Sequence, residues 1–219
     1  MKILAISDVP SKLLWDESVR KRLEGIDLIL SCGDLPKKYL EYLTNFTTVP
    51  ILYVHGNHDG SYKESEPGGC ICVDDQVYVW KGLRIMGLGG SIRYNREETF
   101  QYTEKEMRRR MRRLWFKAHR AGGIDLLLTH SPAAGLNDGD DRAHKGFACF
   151  NDLLEEYQPK WFVHGHVHLS YNANLPRVCT HGQTTVINAT ERYTFEIPDP
   201  DPVARRRFFW NDPAFPTKN

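Results

Sequence analysis

The sequence predicts an α/β fold in which layered β-sheets are flanked by helices. Short runs rich in Ile, Leu and Val are typical of buried strands, and they lie at residues 2–7, 26–32, 50–54, 124–129 and 160–164. Amphipathic helical patterns fall between these runs, at residues 36–46, 103–121 and 147–157. Because strands that alternate with helices favour parallel pairing, we expect at least one sheet with parallel strands.

The first and third helices are predicted from regular apolar faces. Pro36 suits the first turn of a helix, because its φ is already helical and an N–H there would lack an intrahelical partner. The apolar residues that follow it at helical spacing are Tyr39, Leu40, Leu43 and Phe46. The third helix carries a similar stripe of Phe147, Phe150, Leu153, Leu154 and Tyr157. Each helix should therefore bury one face.

The second helix is both amphipathic and strongly basic. Thr103 and Glu106 form a capping box at its start, and Gly122 follows its end. Its predicted buried stripe is Met107, Met111, Leu114, Trp115 and Ala118, and its arginines are Arg108, Arg109, Arg110, Arg112 and Arg113. A nuclease would use such arginines to hold a phosphate backbone. Since the stripe turns inward, we instead expect the arginines on the solvent side and do not expect a nucleic-acid partner.

The remaining segments add antiparallel structure and a tail. Residues 77–88 (VYVWKGLRIMGL) predict two strands joined at Lys81 and Gly82, and residues 184–197 (TTVINATERYTFEI) predict two more. We expect one domain over residues 1–197, without internal repeats. Residues 198–219 are rich in proline and aspartate and should form an extended tail, which Phe208, Phe209 and Trp210 would pin to the body or to a second subunit.

Composition excludes several classes of partner. The 219 residues include 29 Lys plus Arg and 28 Asp plus Glu, so a net charge of +1 gives no field that attracts nucleic acid or anionic lipid. No segment approaches the roughly 20 apolar residues of a membrane span, and no secretory signal is visible. The five cysteines fit free thiols better than a disulfide framework. We therefore expect a cytoplasmic protein without membrane contact.

Potential metal ligands stand directly after five predicted strands. In chain order they are Asp8, Asp34, Asn57 with His58, His130, and His166 with His168. In α/β sheets the carboxyl ends of parallel strands share one edge, and ligands bind in the crevice there. Carboxylate, amide and imidazole groups together suit Mn, Fe, Zn or similar ions. The pattern predicts a metal site at this rim.

Each of these residues taken alone has an ordinary structural explanation. Asp8 could cap a helix, and a single rim histidine is more often only hydrogen-bonded. Burying several unpaired carboxylates and imidazoles is unfavourable, however, and a divalent ion offsets that cost by coordination. Gly33, Gly56 and Gly165 each precede a proposed ligand, where the backbone must turn sharply or let another group approach closely. Five coincidences at five strand ends favour the metal site.

The ordered set of motifs resembles the calcineurin-like metallophosphoesterase superfamily. The motifs are Asp8, Gly33–Asp34, GNHD at 56–59, His130 and GHVH at 165–168. Residues 184–197 also resemble the closing strands of that fold. The resemblance implies a four-layer α-β-β-α sandwich, in which two mixed β-sheets are flanked by helices.

The resemblance also implies roles for the individual ligands. Asp34 would bridge two divalent ions, with Asn57, His130 and His166 completing the second site and with Asp8 and His168 serving the first. Members of the family commonly read Asp-x-His in the first motif, but Pro10 stands here in place of the histidine. A weaker first ion, a substitute ligand from elsewhere and a single-metal enzyme all remain open. We predict two ions, the first of them labile or even absent.

Two adjacent cations roughly 3.5 to 4 Å apart can generate a hydroxide for in-line attack at phosphorus and stabilise the leaving oxygen. The predicted reaction is therefore hydrolysis of a phosphate ester by a metal-bound hydroxide. His58, which is not counted as a ligand, would donate a proton to the leaving alkoxide, with Asp59 orienting its ring. A structural hydrogen bond is the alternative role for His58.

Two loops supply candidates for substrate binding. Arg93 follows a predicted strand and, with Tyr94 and Asn95, is a natural contact for phosphate or leaving group, although surface arginines are common. The loop after His130 is rich in glycine and aspartate. Its Asp138, Asp141 and His144 would face the substrate or supply the missing ligand, unless they are ordinary loop residues.

Two functions from different classes are compatible with the sequence. The first is a metal-dependent phosphoesterase, whose site favours phosphodiesters because no insertion is long enough to form a cap. The second is a non-catalytic metal-binding scaffold whose first site decayed when position 10 became proline. A scaffold would have no need of His58. The expected partner is a small phosphate-ester substrate, and a homodimer is possible.

Overall fold

Two large β-sheets lie face to face in the computed structural model, which describes residues 1–95, 99–170 and 175–200. The strands are β1 (Lys2–Ser7), β2 (Leu28–Ser31), β3 (Ile51–Tyr53), β4 (Ile71–Cys72), β5 (Gln76–Trp80), β6 (Leu83–Leu88), β7 (Ser91–Ile92), β8 (Gln101–Tyr102), β9 (Leu126–Thr129), β10 (Trp161–His164), β11 (Val178–His181), β12 (Thr184–Asn188) and β13 (Glu191–Glu196). The helices are α1 (Val19–Leu23), α2 (Lys37–Thr44), α3 (Glu104–Ala121) and α4 (Ala148–Tyr157). Short 3-10 helices span Lys12–Leu14 and Asp59–Lys63.

Both large sheets have a parallel centre and at least one antiparallel edge strand. The first sheet has the order β13-β1-β2-β3-β4, in which β13 is antiparallel to its neighbour and the other pairs are parallel. The second has the order β11-β12-β10-β9-β6-β5, with antiparallel strands at both edges. Strands β7 and β8 form a separate parallel pair. The predicted mixture of parallel and antiparallel strands is confirmed.

Three apolar clusters separate four layers. Between the sheets lie Ile3, Ala5, Leu30, Leu52, Ile85, Leu128 and Val163. The outer face of the first sheet packs Leu4, Ile6 and Ile29 against Val19, Tyr39, Leu40 and Leu43 of α1 and α2. The outer face of the second packs Met86, Leu127 and Phe162 against Met107, Leu114, Phe150 and Leu153 of α3 and α4. Alternate residues of each strand thus bury opposite faces, and the α-β-β-α sandwich is confirmed.

Local signals in the sequence correspond to the observed ends of elements. Both hydrogen bonds of the Thr103 and Glu106 capping box are present at the start of α3. Gly122 ends that helix in the left-handed conformation at φ 79°. Lys81 and Gly82, with φ of 44° and 93°, form the two-residue turn between β5 and β6. Turn and cap chemistry therefore predicted these boundaries.

The prediction for α3 was wrong at two positions. Trp115 was assigned to the buried stripe, but it is 39% exposed. Arg110 was assigned to the solvent side, but it is only 6% exposed and forms ion pairs with Asp74 at 2.6 Å and with Asp75 at 2.8 Å. Helical spacing shows which residues share a face. It does not show that two aspartates just before β5 come to lie against that face.

Part of the chain lies outside the described residues. This holds for Phe208, Phe209 and Trp210 and for most of the predicted tail at 198–219. Across residues 1–95, 99–170 and 175–200, no helix combines the length and the apolar character needed to cross a membrane.

Candidate metal centre

The strand ends that were predicted to converge do meet at one rim of the sandwich. The N–H of Asp8, after β1, donates to the carbonyl of Gly33, after β2, at 3.1 Å. The N–H of Gly165, after β10, donates to the carbonyl of His130, after β9, at 2.9 Å. The N–H of His166 reaches across to the Asp8 carboxylate at 3.0 Å, which joins the two sheets.

Three residues at this rim have left-handed backbones although none is glycine. The φ angles are 63° at Asp8, 57° at Asp34 and 69° at His166. A non-glycine residue in this region is uncommon and strained, and such strain clusters at functional sites. At each of these three positions the backbone turns sharply away from the preceding strand, and the residue at the turn is a predicted metal ligand.

Asp34, His130 and His166 form a cluster that could hold a metal ion. One donor atom from each of the three lies within 4.8 Å of the others. His130 Nε2 is 3.3 Å from Asp34 Oδ2 and 3.0 Å from Asn57 Oδ1. The four predicted ligands of the second ion are thus brought together, and His130, His166 and Asn57 are buried.

The tautomer of His130 shows that this donor set suits a cation. Its Nδ1–H donates to the carbonyl of Cys32 at 2.7 Å, so the neutral ring has its lone pair on Nε2. That lone pair would face oxygen acceptors of Asp34 and Asn57, an arrangement that is repulsive without a proton or a metal ion between them. Imidazole, carboxylate and amide groups fit a first-row divalent ion. The carbonyl of Cys32 holds the ring from behind, as outer partners of metal ligands do.

The pKa values at the cluster reflect the same geometry. Burial alone would lower the pKa of His130, but the charge and hydrogen bond of Asp34 outweigh it and raise the pKa to about 9. Burial would raise the pKa of Asp34, but His130 and the backbone N–H of His58 lower it to about 2. Burial and the nearby charge of His130 lower the pKa of His166. The pKa shifts of Asp34 and His130 thus both follow from the close pairing of the two side chains.

The predicted ligands of the first ion lie beside this cluster. The side chain of Asp8 is only 2% exposed, and His168 Nε2 is 3.9 Å from its Oδ1. Burial and the nearby charge of Asp34 raise the pKa of Asp8 although the charge of His130 opposes them, so ionisation of this buried carboxyl is unfavourable. Pro10 adds no donor. Asp8, Asp34 and His168 are therefore the groups that this side of the centre offers.

Asp59 connects two of the ligand-bearing segments. It is 3% exposed, and its Oδ2 accepts the N–H of Gly56 at 2.7 Å and the N–H of Asp34 at 2.9 Å. Burial and the charge of Asp34 raise its pKa to about 6. The carboxylate thus fixes the loops after β2 and β3 relative to each other. Its predicted role of orienting the His58 ring stays a prediction.

Among the predicted site residues after β3, His58 is the exposed one. Its backbone N–H donates to Asp34 Oδ1 at 2.7 Å, so the residue is held at the centre while its side chain reaches solvent. An exposed imidazole next to a buried donor cluster is accessible to a substrate that approaches from solution. The geometry is compatible with the predicted role in proton transfer.

The glycines before the ligands allow the close approaches that the sequence predicted. A Cβ on Gly56 would lie 2.0 Å from Asp34 Oδ1, and one on Gly165 would lie 1.9 Å from Ser7 Oγ. A Cβ on Gly33 would lie 2.2 Å from the backbone nitrogen of Gly56. Since carbon atoms do not approach non-bonded neighbours this closely, each position requires glycine.

The three predicted substrate-binding residues are placed differently. The ring of His144 lies 5.3 Å from that of His166, so His144 is next to the cluster. Asp138 is turned into its own loop, where its carboxylate accepts the N–H of Gly146 at 3.2 Å. Arg93 is paired with Glu106 at 2.9 Å and lines a neighbouring cavity.

Sequence reasoning missed several partners of the ligands. The carbonyl of Ala143 accepts a hydrogen bond from His166 Nε2 at 2.7 Å, and the carbonyl of Cys32 holds His130. A backbone carbonyl leaves no residue-type signal. Arg142, in the same loop as Ala143, was not identified either. Asp141 was identified from the sequence, and its carboxylate accepts the N–H groups of Ala143 and His144 at 2.9 and 3.1 Å.

Several known proteins are similar to this chain in sequence or in fold. A protein of Methanocaldococcus jannaschii described as uncharacterized is 24% identical over 208 residues, which cover 89% of this chain and 90% of that protein. Human metallophosphoesterase domain-containing protein 1 is 32% identical over 71 residues, covering 31% of this chain and only 20% of that protein. The crystal structure of TT1561 of Thermus thermophilus covers 87% of this chain and 89% of its own, with a TM-score of 0.57 at 18% identity. This last likeness concerns the fold alone.

The family model of the calcineurin-like phosphoesterase superfamily domain matches residues 1–192. That range includes every strand end at the rim and ends after the first two residues of β13. The chain therefore belongs to the calcineurin-like phosphoesterase superfamily.

Proposed function

We propose that this protein is a metal-dependent phosphoesterase that hydrolyses small phosphate esters, with a preference for phosphodiesters. The observation that carries the proposal is the contact of His130 Nε2 with Asp34 Oδ2 at 3.3 Å and with Asn57 Oδ1 at 3.0 Å. Three donors brought this close in a buried site are compatible with a bound cation and are unfavourable without one. Membership of the family supports the same class of reaction.

Divalent ions bound here would polarise the phosphoryl group and lower the pKa of water. The protein supplies the rest. Asp34, Asn57, His130 and His166 would hold one ion, and Asp8 with His168 would hold a second beside the shared Asp34. His58, exposed at the edge of the site, would donate a proton to the departing alkoxide. Asp59 keeps two of the ligand loops in register.

We propose two ions of unequal affinity. The second site would have four protein ligands, whereas the first would have Asp8, the shared Asp34 and His168, because Pro10 contributes no donor. Fewer ligands, without the extra imidazole, should weaken the first ion. We therefore expect its occupancy to depend on the free metal concentration.

The preference for diesters rests on access to the site. Within the described residues no inserted domain covers His58. An open site accepts a phosphate with groups on both sides, whereas a site enclosed by a cap would favour one small monoester.

The test is a pair of assays on purified protein. We expect Mn²⁺ to support hydrolysis of bis(4-nitrophenyl) phosphate and, more slowly, of 4-nitrophenyl phosphate, and we expect a chelator to abolish both. Asp34→Asn should remove the activity, whereas Asp152→Asn, which changes an exposed carboxylate on α4, should not. If neither ester is hydrolysed by metal-loaded protein, the proposal is wrong.

A metal-binding scaffold is the second candidate, and the proline at position 10 favours it. In that case elemental analysis would find bound metal, and the metal-loaded protein would melt at a higher temperature than the chelated protein. Neither ester would be hydrolysed. If there is neither bound metal nor a change in melting temperature on chelation, the site has decayed completely.

A further inference from the structure

The cavity beside the metal cluster has the features of an anion site. Its volume is about 430 Å³, and it is lined by Arg93, Tyr94, Asn95, Thr103 and Arg142. Pockets that bind small molecules have volumes of this order. Two guanidinium groups contribute to one small cavity, and guanidinium is the side chain best suited to phosphate and carboxylate.

Contacts on both walls connect the cavity to the metal centre. On one side the hydroxyl of Tyr94 accepts a hydrogen bond from Asn57 Nδ2 at 3.2 Å. On the other side Arg142 precedes Ala143, whose carbonyl accepts from His166 Nε2 at 2.7 Å. The cavity lining is therefore linked directly to two predicted metal ligands, Asn57 and His166.

The wall that carries Arg93 is fixed. The side-chain carbonyl of Gln101, a residue only 4% exposed, accepts the N–H groups of Tyr94 at 3.1 Å and Asn95 at 3.0 Å. One nitrogen of the Arg93 guanidinium donates to the Glu106 carboxylate at 2.9 Å and to the backbone carbonyl of Gln101 at 3.1 Å. These bonds use one of its nitrogens, so the group is oriented before any ligand arrives.

The charged residues among the described lining of the cavity are both arginines. Among the lining residues that the structure describes there is no carboxylate, and Glu106 pairs with only one of the two arginines. Glu104, which is near in sequence, accepts the N–H groups of Ala148 and Cys149 at the start of α4. An anion that enters the cavity therefore meets guanidinium donors.

We propose that this cavity binds a second anionic group of the substrate, a phosphate or a carboxylate, while the reacting phosphate lies at the metal centre. The inference rests on the proposed function and specifies its substrate class: phosphate esters with a further anionic group on the non-reacting side. Arg142 and Arg93 would contact that group, and Tyr94 would line the path between the two ends.

The test uses phosphonates, whose carbon–phosphorus bond is not hydrolysed. Mn²⁺-loaded protein is titrated calorimetrically with alkylphosphonates, ω-phosphonoalkanoates and α,ω-alkanediphosphonates of increasing chain length, and each ligand's own binding to Mn²⁺ is measured in a protein-free titration. At one chain length we expect the ligand with a second anion to bind about tenfold or more tightly than the alkylphosphonate of the same length. This ratio of affinities is the gain. The carboxylate and diphosphonate series distinguish the two candidate groups.

Variants identify the cavity as the origin of this gain. Arg142→Ala should remove most of the gain, and Arg142→Lys should restore part of it. Arg109→Ala removes an exposed arginine from the outer face of α3 and is expected to leave the gain unchanged. No gain at any chain length, or a gain that Arg142→Ala does not reduce, would overturn the inference.

This outcome is separable from that of the proposed function. Binding of phosphonates is measured without turnover, so a protein that shows the gain but hydrolyses no ester retains the second-anion site and refutes only the activity. A protein that hydrolyses esters without any gain retains the activity and refutes only the site.

Discussion

Gly56→Ala should weaken metal binding although residue 56 has no side chain in the native protein. The added Cβ would stand 2.0 Å from Asp34 Oδ1 and 2.5 Å from the backbone nitrogen of Asp34. Real Cβ atoms essentially never come within 3.0 Å of such a neighbour, so the Asp34 carboxylate or its loop has to move by at least about 1 Å. Displacements of that size are costly at catalytic sites. The same oxygen accepts the 2.7 Å hydrogen bond from the N–H of His58, which would be lost.

The size of the effect follows from these two losses. A hydrogen bond to a charged group contributes about 1.5 to 3 kcal/mol, and disturbing a group that orients a metal ligand weakens affinity about 10- to 100-fold. We therefore expect the dissociation constant for Mn²⁺ to rise by about one to two orders of magnitude in calorimetric titrations. Gly68→Ala is the matched control, because its Cβ would meet only Glu41 Oε1, at 3.4 Å.

Folding has to be measured separately from binding. Circular dichroism and thermal unfolding of the chelated variant establish that Gly56→Ala is folded at the titration temperature. If the folded variant binds Mn²⁺ within about twofold of the wild-type affinity, the difference is below about 0.5 kcal/mol. The close packing of Gly56 on Asp34 would then have no part in positioning the ligand.

Three further predictions concern proton transfer and the buried ion pair. His58→Gln should lower kcat about 10²- to 10⁴-fold while calorimetric metal affinity stays close to wild type, and equal losses in both would contradict a proton-donor role. Arg110→Met leaves Asp74 buried without its cation, so urea unfolding should show a loss of about 3 to 5 kcal/mol, against less than about 0.5 kcal/mol for the exposed Arg109→Met. Burial opposes ionisation of Asp74, but His55 and Arg110 outweigh it and lower its pKa. The unfolded chain then binds the proton more readily, so this stabilisation is complete above about pH 4 and is lost as pH falls through the lower pKa of the folded state. The stability difference between wild type and Arg110→Met should narrow over that acid range, and a difference that stays constant there would exclude Asp74 as its source.

The rim of the sandwich was predictable because of a geometric rule that does not depend on detail. Parallel strands end at a common edge, so Asp34, His130 and His166 could be expected together from their positions after apolar runs. Glycine at 56 and 165 was informative for a similar reason, since a missing side chain next to a ligand indicates a close approach. Each of these two signals is read from a few neighbouring residues, although it predicts contacts between residues far apart in the sequence.

Other features had no local signal. Arg110 shares its residue type and spacing with exposed neighbours, and only the fold brings Asp74 to it. The carbonyl of Ala143 supports His166 through the backbone, which every residue possesses. Strands β4, β7 and β8 contain two residues each, and α1 contains five, so neither helical nor strand periodicity can develop in them.

The order of the first sheet has a consequence for the newly synthesised chain. Lys2 pairs with Glu196, so β1 is synthesised nearly 190 residues before β13, the strand that covers its outer edge. Until then β1 exposes unpaired backbone groups that favour association with other chains. Only Ala189 and Thr190 separate β12, in the second sheet, from β13, in the first. Addition of β13 joins both sheets at once, so a truncation before residue 191 should trap an aggregation-prone intermediate rather than a smaller folded domain.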